Sequence, residues 1–456
     1  MTSFSNRTFD QISVGERIAV AHSVTRDDVE LLALVSGDVS VLSADVEWGQ
    51  LREPVCEAVS AEALVHGLLK RRLPGPGTSI VAHQLVFTGA VSMGDELEAS
   101  VCVASKLAPD CLVMDCLVVR GDEVLLSGTV TVRAPPHNLT VDQRAQPAVI
   151  LRRNDVFGHL FRGCEACAPV LCAVVHPCDV DSLAGAIEAA RHRLIEPVLV
   201  GPRAKIMAVA QAGGWDISGY RLVDTEHSHA AAAQAVALAR NGEVQALMKG
   251  SLHTDELMGA VVARDTGLRT ARRVSHVFVM DVPSYPRMLL VTDAAVNIAP
   301  TIRDKVDIVQ NAIDLAHVLG VAQPKVAILA AVETVNPDMQ ATIDAAMLCK
   351  MADRGQITGG LVDGPLAFDN AVSVEAARTK HIVSPVAGLA DILVVPSLEA
   401  GNMVAKQLQY LAGADSAGIV LGARVPIVLT SRSDSVRTRL ASAAVLKLLV
   451  HAKACR

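Results

Sequence analysis

Short apolar runs alternate with helical stretches throughout the C-terminal part of the chain, and this alternation limits the possible folds more than any other feature. Runs of strand length at 170–175, 197–200 and 246–248 are separated by helical patterns at 182–193 and 230–240. The alternation continues in the segments 326–331, 392–396, 402–411 and 425–429. Such alternation is typical of parallel strands joined by crossover helices. The sequence therefore predicts an α/β part with a parallel-rich sheet.

The chain changes character near 134–138, and the part before this point is of a different kind. Within 79–133, partly alternating apolar runs occur at 85–87, 97–103 and 124–130. Runs of this kind, separated by Gly-Asp pairs, indicate an antiparallel meander. A helical stretch over 58–71 precedes them. One helix followed by a curved antiparallel sheet predicts an α+β N-terminal domain.

Composition narrows the class of protein and of ligand. A length of 456 residues suggests roughly two to four domains. Apolar residues make up 51% of the chain and aromatic residues only 3%, which argues against base-stacking surfaces. The 41 basic and 48 acidic residues leave a net charge of −7, so no nucleic-acid partner is expected. Local basic groups must therefore hold any anionic ligand.

The sequence also carries expectations about location and metals. The first residues lack the layout of a signal peptide, and no apolar run approaches the ~18 residues of a membrane span, so we expect a cytoplasmic protein without membrane contact. Ten cysteines are then expected to be reduced and mostly buried. Cys164 and Cys167 form a lone C-x-x-C without a second matched pair, and no metal is expected.

The segment after the last apolar run concentrates chemistry. The run 425–429 leads directly to Ser431, Arg432 and Asp434, just before a helical pattern. Arginine binds phosphate well, and its neighbours supply a hydroxyl and a candidate base. Ligands collect at the carboxyl ends of strands in open α/β folds. The alternative is a helix N-cap, since Ser and Asp both cap well.

Two further turns are candidate ligand sites. Lys249, Gly250 and Ser251 follow an apolar run and precede a helical pattern from Asp255, so their backbone N–H groups could bind phosphate. An ordinary strand-to-helix turn is the alternative. Asp363 begins an Asp-Gly-Pro-Leu sequence, which is either a ligand contact or a simple turn.

Several motifs occur in a fixed order along the C-terminal part: 246–250 (ALMKG), 275–280 (SHVFVM), 292–297 (TDAAVN), 363–369 (DGPLAFD), 399–403 (EAGNM) and 430–432 (TSR). Over 166–450 this series resembles the phosphate acetyl/butyryl transferases, and the Thr-Ser-Arg-x-Asp ending looks closer to the butyryl type. The resemblance implies reversible acyl transfer between CoA and inorganic phosphate, through acyl-CoA and acyl phosphate. CoA is then a substrate, no tightly bound cofactor is expected, and a homodimer or higher homo-oligomer is implied.

Residue chemistry assigns roles within this reaction. Arg432 would stabilise oxyanion charge on the phosphate. Asp434 would take the proton of the CoA thiol, whose ordinary pKa is ~8.5. Ser431 would donate a hydrogen bond to the carbonyl or phosphate oxygen without being acylated. The family's base lies in the helix after the Ser-Arg pair, and Thr438 is the alternative match to that position. We expect direct transfer in a ternary complex.

Other candidates fit the binding of CoA. Asp293 and Asn297 are four apart, a spacing that predicts one helix face, where they would shape a cleft or cap locally. A basic cluster in this net acidic chain consists of Arg264, Arg269, Arg272 and Arg273. Such a cluster is either a solvated face or a contact for the phosphates of CoA.

A second series of motifs occurs in the N-terminal part: Phe9, 14–16, 36–38, 73–78, 85–87, Val91 and 94–95. Over 9–133 it resembles the MaoC-like hotdog family, which includes the (R)-specific enoyl-CoA hydratases. Active members carry an Asp followed five positions later by a His. Asp38 is present here, but Ser43 stands in place of the His, and the family's His-Gly pair falls on Glu57-Ala58.

The loss of the His predicts a degenerate hydratase, because water addition needs a paired acid and base. Asp38, Ser43 and Glu57 would then be a vestigial site in a dimerising or acyl-CoA-binding module. One alternative is a bifunctional enzyme in which Glu57 or His66 restores hydration. Another is a non-catalytic acyl-CoA sensing or assembly protein.

Together these predictions define a domain organisation for the whole chain. The predicted parts are a hotdog domain at 1–135, a linker at 136–165, and a transferase domain at 166–456 composed of subdomain 1 (about 166–300 plus 425–456) and subdomain 2 (about 301–424). Both subdomains are expected to be α/β, with a cleft between them.

Overall fold

The computed structural model describes residues 3–36, 55–56, 59–142, 156–429 and 434–454. Contacts divide the chain into two compact units, Met1–Leu151 and Arg152–Arg456. The division falls inside the segment that the sequence predicts as a linker. Among the described helices, none is both long and apolar enough to cross a membrane.

The first unit has these elements in chain order: β1 (Ser3–Ser5), β2 (Arg17–Ser23), α1 (Arg26–Ser36), β3 (Val55–Cys56), α2 (Val59–Arg71), β4 (Ser79–Phe87), β5 (Val91–Ser92), β6 (Glu96–Leu107), β7 (Cys111–Arg120), β8 (Glu123–Arg133) and β9 (Thr140–Asp142).

An antiparallel sheet and the helix α2 form the core of the first unit. The sheet order is β2-β6-β7-β8-β4, and all neighbouring pairs are antiparallel. Apolar residues spaced as on one helix face, Ala61, Val65, Leu68 and Leu69, are buried in α2. They pack with the inward side chains of the strands in one hydrophobic cluster. The predicted helix and antiparallel meander are both present.

The second unit has these elements in chain order: α3 (Val156–Cys164), β10 (Val170–Val175), α4 (Val180–Arg191), β11 (Ile195–Gly201), α5 (Arg203–Gly213), β12 (Arg221–Asp224), α6 (Ser228–Arg240), β13 (Ala246–Lys249), α7 (Thr254–Val261), β14 (Ser275–Asp281), β15 (Leu289–Thr292), α8 (Ile302–Val318), β16 (Lys325–Leu329), α9 (Gln340–Asp353), β17 (Leu361–Leu366), α10 (Phe368–Val372), α11 (Val374–Thr379), β18 (Ile392–Val394), α12 (Leu398–Tyr410), β19 (Asp415–Leu421), β20 (Ile427–Val428) and α13 (Val436–Ala454).

The strands of the second unit join in one sheet, in the order β12-β11-β10-β13-β20-β19-β14-β15-β18-β16-β17. The five strands from β12 to β20 in this order are parallel, and so are the four from β15 to β17. Between these blocks, β19 pairs antiparallel with both β20 and β14, and β14 pairs antiparallel with β15. The two parallel blocks therefore run in opposite directions.

This reversal places carboxyl ends of strands at two opposite edges of the sheet. We call the edge where β10, β13 and β20 end the first edge, and the edge where β15, β16, β17 and β18 end the second edge. The sequence predicted parallel-rich sheets in two subdomains, whereas β19 of predicted subdomain 2 lies between β20 and β14 of predicted subdomain 1. The alternation of elements does not encode this interleaving, because it follows from which strands pair.

Capping side chains set the helix ends more closely than hydrophobic periodicity does. The helix predicted over 182–193 is Val180–Arg191, because the Asp179 carboxylate accepts from Ser182 N at 2.7 Å. The helix predicted from 402 begins at Leu398, since Ser397 Oγ accepts from Ala400 N at 3.4 Å.

Candidate functional site

Two of the predicted segments leave the sheet side by side at the first edge. β13 ends at Lys249 and β20 at Val428, and these parallel neighbours are in register at Met248 and Val428. Leu429 then leads to residues 430–433, which include Ser431 and Arg432 and lie outside the described residues. Pairing of the strands thus brings the Lys249 turn and the entrance to the Ser431-Arg432 segment together.

Residues after the undescribed segment return to the same edge. Arg437, in the first turn of α13, forms an ion pair of 2.6 Å with Asp415, the first residue of β19. Asp434 is half-buried, and its carbonyl oxygen accepts from Arg439 Nε at 3.4 Å. At the N-terminus of α13, Ser435 Oγ accepts from Thr438 N at 3.1 Å. Ser435 therefore caps α13, a role for which the sequence had also made Ser431 and Asp434 candidates.

Gly250 is required where it lies because the backbone crowds it. A Cβ at this position would lie 2.4 Å from the carbonyl oxygen of Val175 and 2.6 Å from that of His176. The Gly250 N–H donates to the Val175 carbonyl at 2.9 Å. Glycine therefore lets the turn after β13 lie directly against the end of β10.

Ser251 joins this turn to His176, a residue that the sequence reasoning missed. The Ser251 hydroxyl donates to the His176 carbonyl at 2.7 Å and accepts from Cys178 N at 3.3 Å. His176 Nδ1 lies 3.0 Å from the same hydroxyl oxygen. Because the single hydroxyl proton goes to the carbonyl, Nδ1 is the donor to Ser251 and Nε2 is the basic nitrogen.

Lys249 and His176 are the basic side chains of the turn region at the first edge. Lys249 is 6% exposed, and its Nζ donates to the Gly250 carbonyl at 3.4 Å. Burial, reinforced by Lys205, lowers the pKa of His176 below its usual value, so this imidazole is neutral at pH 7. Its position directly after a strand of the parallel block was the signal that could have identified it.

At the second edge, Asp293 organises the loop after β15. Its carboxylate accepts from the backbone N–H groups of Ala295 (2.9 Å), Val296 (3.0 Å) and Asn297 (3.1 Å), and from Asn297 Nδ2 (2.5 Å). The segment is a bend, and the predicted shared helix face is wrong, because the side chain rather than helical i, i+4 bonding satisfies these donors. Of the two roles considered, these bonds support local capping by Asp293.

Asn297 connects this loop to the predicted basic cluster. Its Oδ1 accepts from Arg273 Nε at 2.7 Å, and its Nδ2 donates to the Val274 carbonyl at 2.9 Å. Arg273 Nε also lies 3.6 Å from Asp304, while Arg272 forms an ion pair with Asp314. Acidic neighbours therefore partly neutralise the positive charges of the two arginines that precede β14.

The remaining two members of the cluster, Arg264 and Arg269, are exposed. Arg269 forms an isolated antiparallel bridge with Ala423, which follows β19. All four arginines are therefore exposed, and Arg272 and Arg273 also contact acidic side chains.

His276, buried in β14, is a second residue missed by the sequence reasoning. It is 1% exposed, and its Nδ1 has no hydrogen-bond partner among the described residues. Burial lowers its pKa to about 4, an effect that the Asp293 carboxylate partly opposes. The ring packs edge-on against Phe278, with centroids 4.5 Å apart.

Asp363 lies within β17 rather than in a turn, so the turn alternative for 363–366 is wrong. The pairing of Asp363 with Ala327 of β16 holds it in the sheet, and its carboxylate accepts from Gly364 N at 2.8 Å. Past the end of β17, buried Asn370 donates to Glu333 at 3.3 Å. Lys380 lies 3.6 Å from Glu333 and 3.2 Å from Asp369.

The structure thus brings only some of the predicted residues together. Lys249, Gly250 and Ser251 share the first edge with the entrance to the Ser431-Arg432 segment. Arg273, Asp293 and Asn297 form one connected group at the second edge. Asp38, Ser43 and Glu57 of the predicted vestigial site lie outside the described residues.

Comparisons with known proteins cover mainly the second unit. A family model described as "Phosphate acetyl/butaryl transferase" matches residues 226–446. The chain is 63% identical over 292 residues to the phosphate acetyltransferase of Rhizobium meliloti, a match that covers 64% of this chain and 92% of that enzyme. It is 41% identical over 262 residues to the phosphate butyryltransferase of Clostridium acetobutylicum, covering 58% of this chain and 87% of that enzyme.

A solved structure agrees with this fold. A branched-chain phosphotransacylase from Enterococcus faecalis V583 is similar with a TM-score of 0.53 and 30% sequence identity. That match covers 62% of this chain and 99% of the other. The second unit therefore has a phosphotransacetylase-like fold with a parallel-rich sheet.

Proposed function

The chain belongs to the phosphate acetyl/butyryl transferase family, and from that membership we propose that it catalyses reversible transfer of a short acyl group between CoA and inorganic phosphate. Acyl-CoA and phosphate would give acyl phosphate and CoA, and the reverse. The observation that carries this proposal is the 63% identity to a phosphate acetyltransferase over 92% of that enzyme. CoA is a substrate in this reaction, and the chemistry requires no tightly bound cofactor.

The first edge is the proposed site of acyl transfer between CoA and phosphate. Arg432 would bind the phosphate group and stabilise the charge that develops as the acyl group moves. Lys249 supports this placement, because its ammonium group is buried at the same edge, beside the strand that leads to Arg432. The Gly250 and Ser251 turn would complete the phosphate site, and Ser431 would donate a hydrogen bond to the carbonyl or phosphate oxygen.

Asp434 is the proposed base. When CoA attacks an acyl phosphate, the thiol proton must leave as the C–S bond forms, and a carboxylate next to the phosphate site can accept it. Asp434 is half-buried and precedes α13, whose first turn reaches the first edge through Arg437 and Asp415. Thr438, one turn further, is the alternative match to the family's position.

Arg264 and Arg273 are the proposed contacts for the phosphates of CoA. Arg264 is exposed, and Asn297 holds Arg273 Nε at 2.7 Å while Asp293 holds Asn297. Asp293 and Asn297 would act by positioning Arg273 rather than by touching substrate. Asp363, with its Gly364-Pro365 neighbours in β17, stays a proposed part of the ligand cleft.

The acyl group is proposed to be short, and the two kinds of observation differ on its length. The Thr-Ser-Arg-x-Asp ending looks closer to the butyryl type. The identity of 63% to a phosphate acetyltransferase exceeds that of 41% to a phosphate butyryltransferase. A pocket discriminates a single methylene by only about 1–3 kcal/mol. The preferred acyl group must therefore be found by comparing acyl phosphates of different chain length.

The proposal is tested by thioester formation from CoA and acetyl, propionyl or butyryl phosphate. We expect the parent to form thioester and Arg432→Ala to lose about 10²–10³-fold in kcat, as when an oxyanion-stabilising donor is removed. Arg424→Ala, at an exposed arginine before β20, is the matched control and should retain activity. Equal activity in both variants would remove Arg432 from the mechanism, and inactivity of the parent with every acyl phosphate would reject the proposed reaction.

The domain organisation is part of the same proposal. We propose a hotdog domain at 1–135, a linker at 136–165 and a transferase domain from 166. The opposite directions of the two parallel blocks support two subdomains with a cleft, although the blocks share one sheet. A homodimer or higher homo-oligomer is proposed by family membership, and closed symmetry is the usual form of such assemblies.

The N-terminal domain is proposed to bind acyl-CoA or to dimerise without catalysing hydration. Ser43 cannot supply the proton transfer of the missing His. Fusion to an enzyme that uses CoA is consistent with a shared ligand class.

A further inference from the structure

A cluster of two histidines and a glutamate lies in the first unit, on the face where α2 meets β4. Glu62 and His66 are four residues apart on α2, and His83 is on β4. Glu62 Oε1 lies 3.5 Å from His66 Nε2 and 3.2 Å from His83 Nδ1. One ligand atom from each of the three residues lies within 4.8 Å of the other two. We propose that Glu62, His66 and His83 bind a divalent transition metal of the Zn²⁺ class.

The spacing of these atoms matches metal ligation. Zinc bonds of ~2.0–2.2 Å to nitrogen and oxygen in tetrahedral geometry hold ligand atoms roughly 3.4 Å apart. Two of the three separations in the cluster, 3.5 and 3.2 Å, are of this size. The helix supplies two ligands because residues at i and i+4 share one face. Small rotations of the exposed His83 side chain would bring the third separation into the same range.

An ion pair alone explains the cluster less well. His66 Nε2 is buried as an atom and has no hydrogen-bond partner among the described residues. A buried nitrogen without a partner costs free energy, and this one faces the carboxylate without a hydrogen bond to it. The two imidazoles also stack with centroids 6.1 Å apart, an arrangement that would bring two positive charges together if both were protonated. A cation between the three ligand atoms satisfies all of them.

The donor set indicates which ion is preferred. Two imidazoles and one carboxylate suit borderline cations such as Zn²⁺ better than Mg²⁺ or Ca²⁺, which prefer oxygen ligands. Three protein ligands leave a fourth position open for water or another ligand, as in catalytic rather than closed structural zinc sites. The half-exposed side chain of His83 gives solvent access to that position.

The test is calorimetric titration of the chelator-treated full chain with Zn²⁺, compared with Glu62→Gln, His83→Gln and the control His137→Gln. His137 is an exposed histidine of the same unit. We expect one site whose affinity falls at least tenfold in Glu62→Gln and His83→Gln and is unchanged in His137→Gln. Zn²⁺ should also raise the unfolding temperature of the parent more than that of either variant, because binding stabilises only the folded site.

Cysteines elsewhere in the chain are the competing ligands, and Co²⁺ distinguishes them. A Co²⁺ spectrum without a thiolate charge-transfer band, lost in His83→Gln, would support the site. The proposal is overturned if the parent binds no Zn²⁺, if binding is equal in all variants, or if the spectrum shows thiolate ligation. His83 is exposed on a strand, so its replacement leaves the core of α2 and the sheet intact even if Glu62→Gln folds poorly.

Discussion

At the scale of single residues, the proposed phosphate site depends on one close backbone approach. The turn at Gly250 lies against the carbonyl oxygens of Val175 and His176 and carries Ser251 to its hydrogen bonds with His176. These contacts hold the ends of β10 and β13 together next to the Lys249 side chain.

Replacing Gly250 by alanine tests this dependence. The new Cβ would lie 2.4 Å from the Val175 oxygen, so the turn must shift, and we expect a loss of about 1–3 kcal/mol in unfolding free energy together with reduced thioester formation. Gly259→Ala in α7 is the matched control, because its Cβ meets nothing within 4 Å; it should stabilise the helix by up to ~1 kcal/mol. Denaturant unfolding and initial rates measure both effects, and similar results for the two variants would contradict the close-approach argument.

His276 makes stability depend on pH. Burial lowers its pKa to about 4, so between pH 4 and its usual value of ~6.5 the unfolded chain binds a proton that the folded chain does not. Lowering the pH through this range should destabilise the parent relative to His276→Gln by up to roughly 1.4 kcal/mol per pH unit. Unfolding at pH 5, 6 and 7 measures this difference. The exposed His192→Gln should follow the parent, and a slope unchanged in His276→Gln would refute the assignment.

Residue chemistry in the sequence identified Lys249, Gly250 and Ser251 as a turn that could bind a ligand. It did not identify His276, because a histidine inside an apolar run gives no sign that its ring is buried with Nδ1 lacking a hydrogen-bond partner among the described residues. His176 was missed for another reason. Its contact with Ser251 joins strands β10 and β13, which are distant in sequence, and only the pairing of these strands brings the two residues together.

At the scale of elements, a buried ion pair joins α8 to α9. Lys305 Nζ and Asp344 Oδ2 are 2.6 Å apart, with side chains only 6% and 7% exposed. Gln340 Nε2 donates to the other carboxylate oxygen at 2.8 Å. The pair is fully enclosed, so breaking it should cost far more than breaking a surface pair.

Lys305→Met should lower the unfolding free energy by about 3–5 kcal/mol, because it leaves the Asp344 carboxylate buried without its cation. Lys305→Met combined with Asp344→Leu should recover most of this loss, since a hydrophobic pair of similar volume replaces the charges. Lys350→Ala breaks the exposed pair with Asp353 and should cost less than ~1 kcal/mol. Denaturant unfolding provides the comparison. A double variant no more stable than Lys305→Met would show that packing, not uncompensated charge, accounts for the effect.

Hydrophobic periodicity predicted the order and type of most elements in the second unit. It did not predict the residues at which these elements begin and end. Thr301 and Asp304 form a capping box that starts α8, and α12 starts at its Ser397 cap. Such local hydrogen bonds fix a helix end without changing the hydrophobic pattern. The hypothesis of a simple turn at 363–366 was wrong for a related reason. Pairing with β16 overrides the turn preference of Asp, Gly and Pro.

At the scale of the whole molecule, the sequence predicted two architectures in one chain, an α+β part followed by an α/β part. It did not predict that the predicted subdomains share one sheet, because β19 is inserted between β20 and β14. Strand direction is a property of pairing over long sequence distances. The reversal between the parallel blocks also explains why the site residues predicted from one family resemblance are distributed over two edges.

The N-terminal domain should not hydrate enoyl-CoA. With Ser43 in place of the family's His, we expect the full chain incubated with crotonyl-CoA to show no hydration above the enzyme-free rate, because the acid-base pair is incomplete. Loss of the enoyl absorbance measures the reaction. Hydration that disappears in Asp38→Asn but persists in Arg432→Ala would contradict this prediction and establish a bifunctional enzyme.

The central claim is that the acyl group passes between CoA and inorganic phosphate, and loss of thioester from acetyl-CoA with and without phosphate tests it most directly. We predict that thioester loss requires phosphate, saturates with its concentration, and yields one acyl phosphate for each CoA released. Thioester loss at the same rate without phosphate would indicate hydrolysis instead. No loss under either condition, with acetyl-, propionyl- or butyryl-CoA, would contradict the assigned reaction.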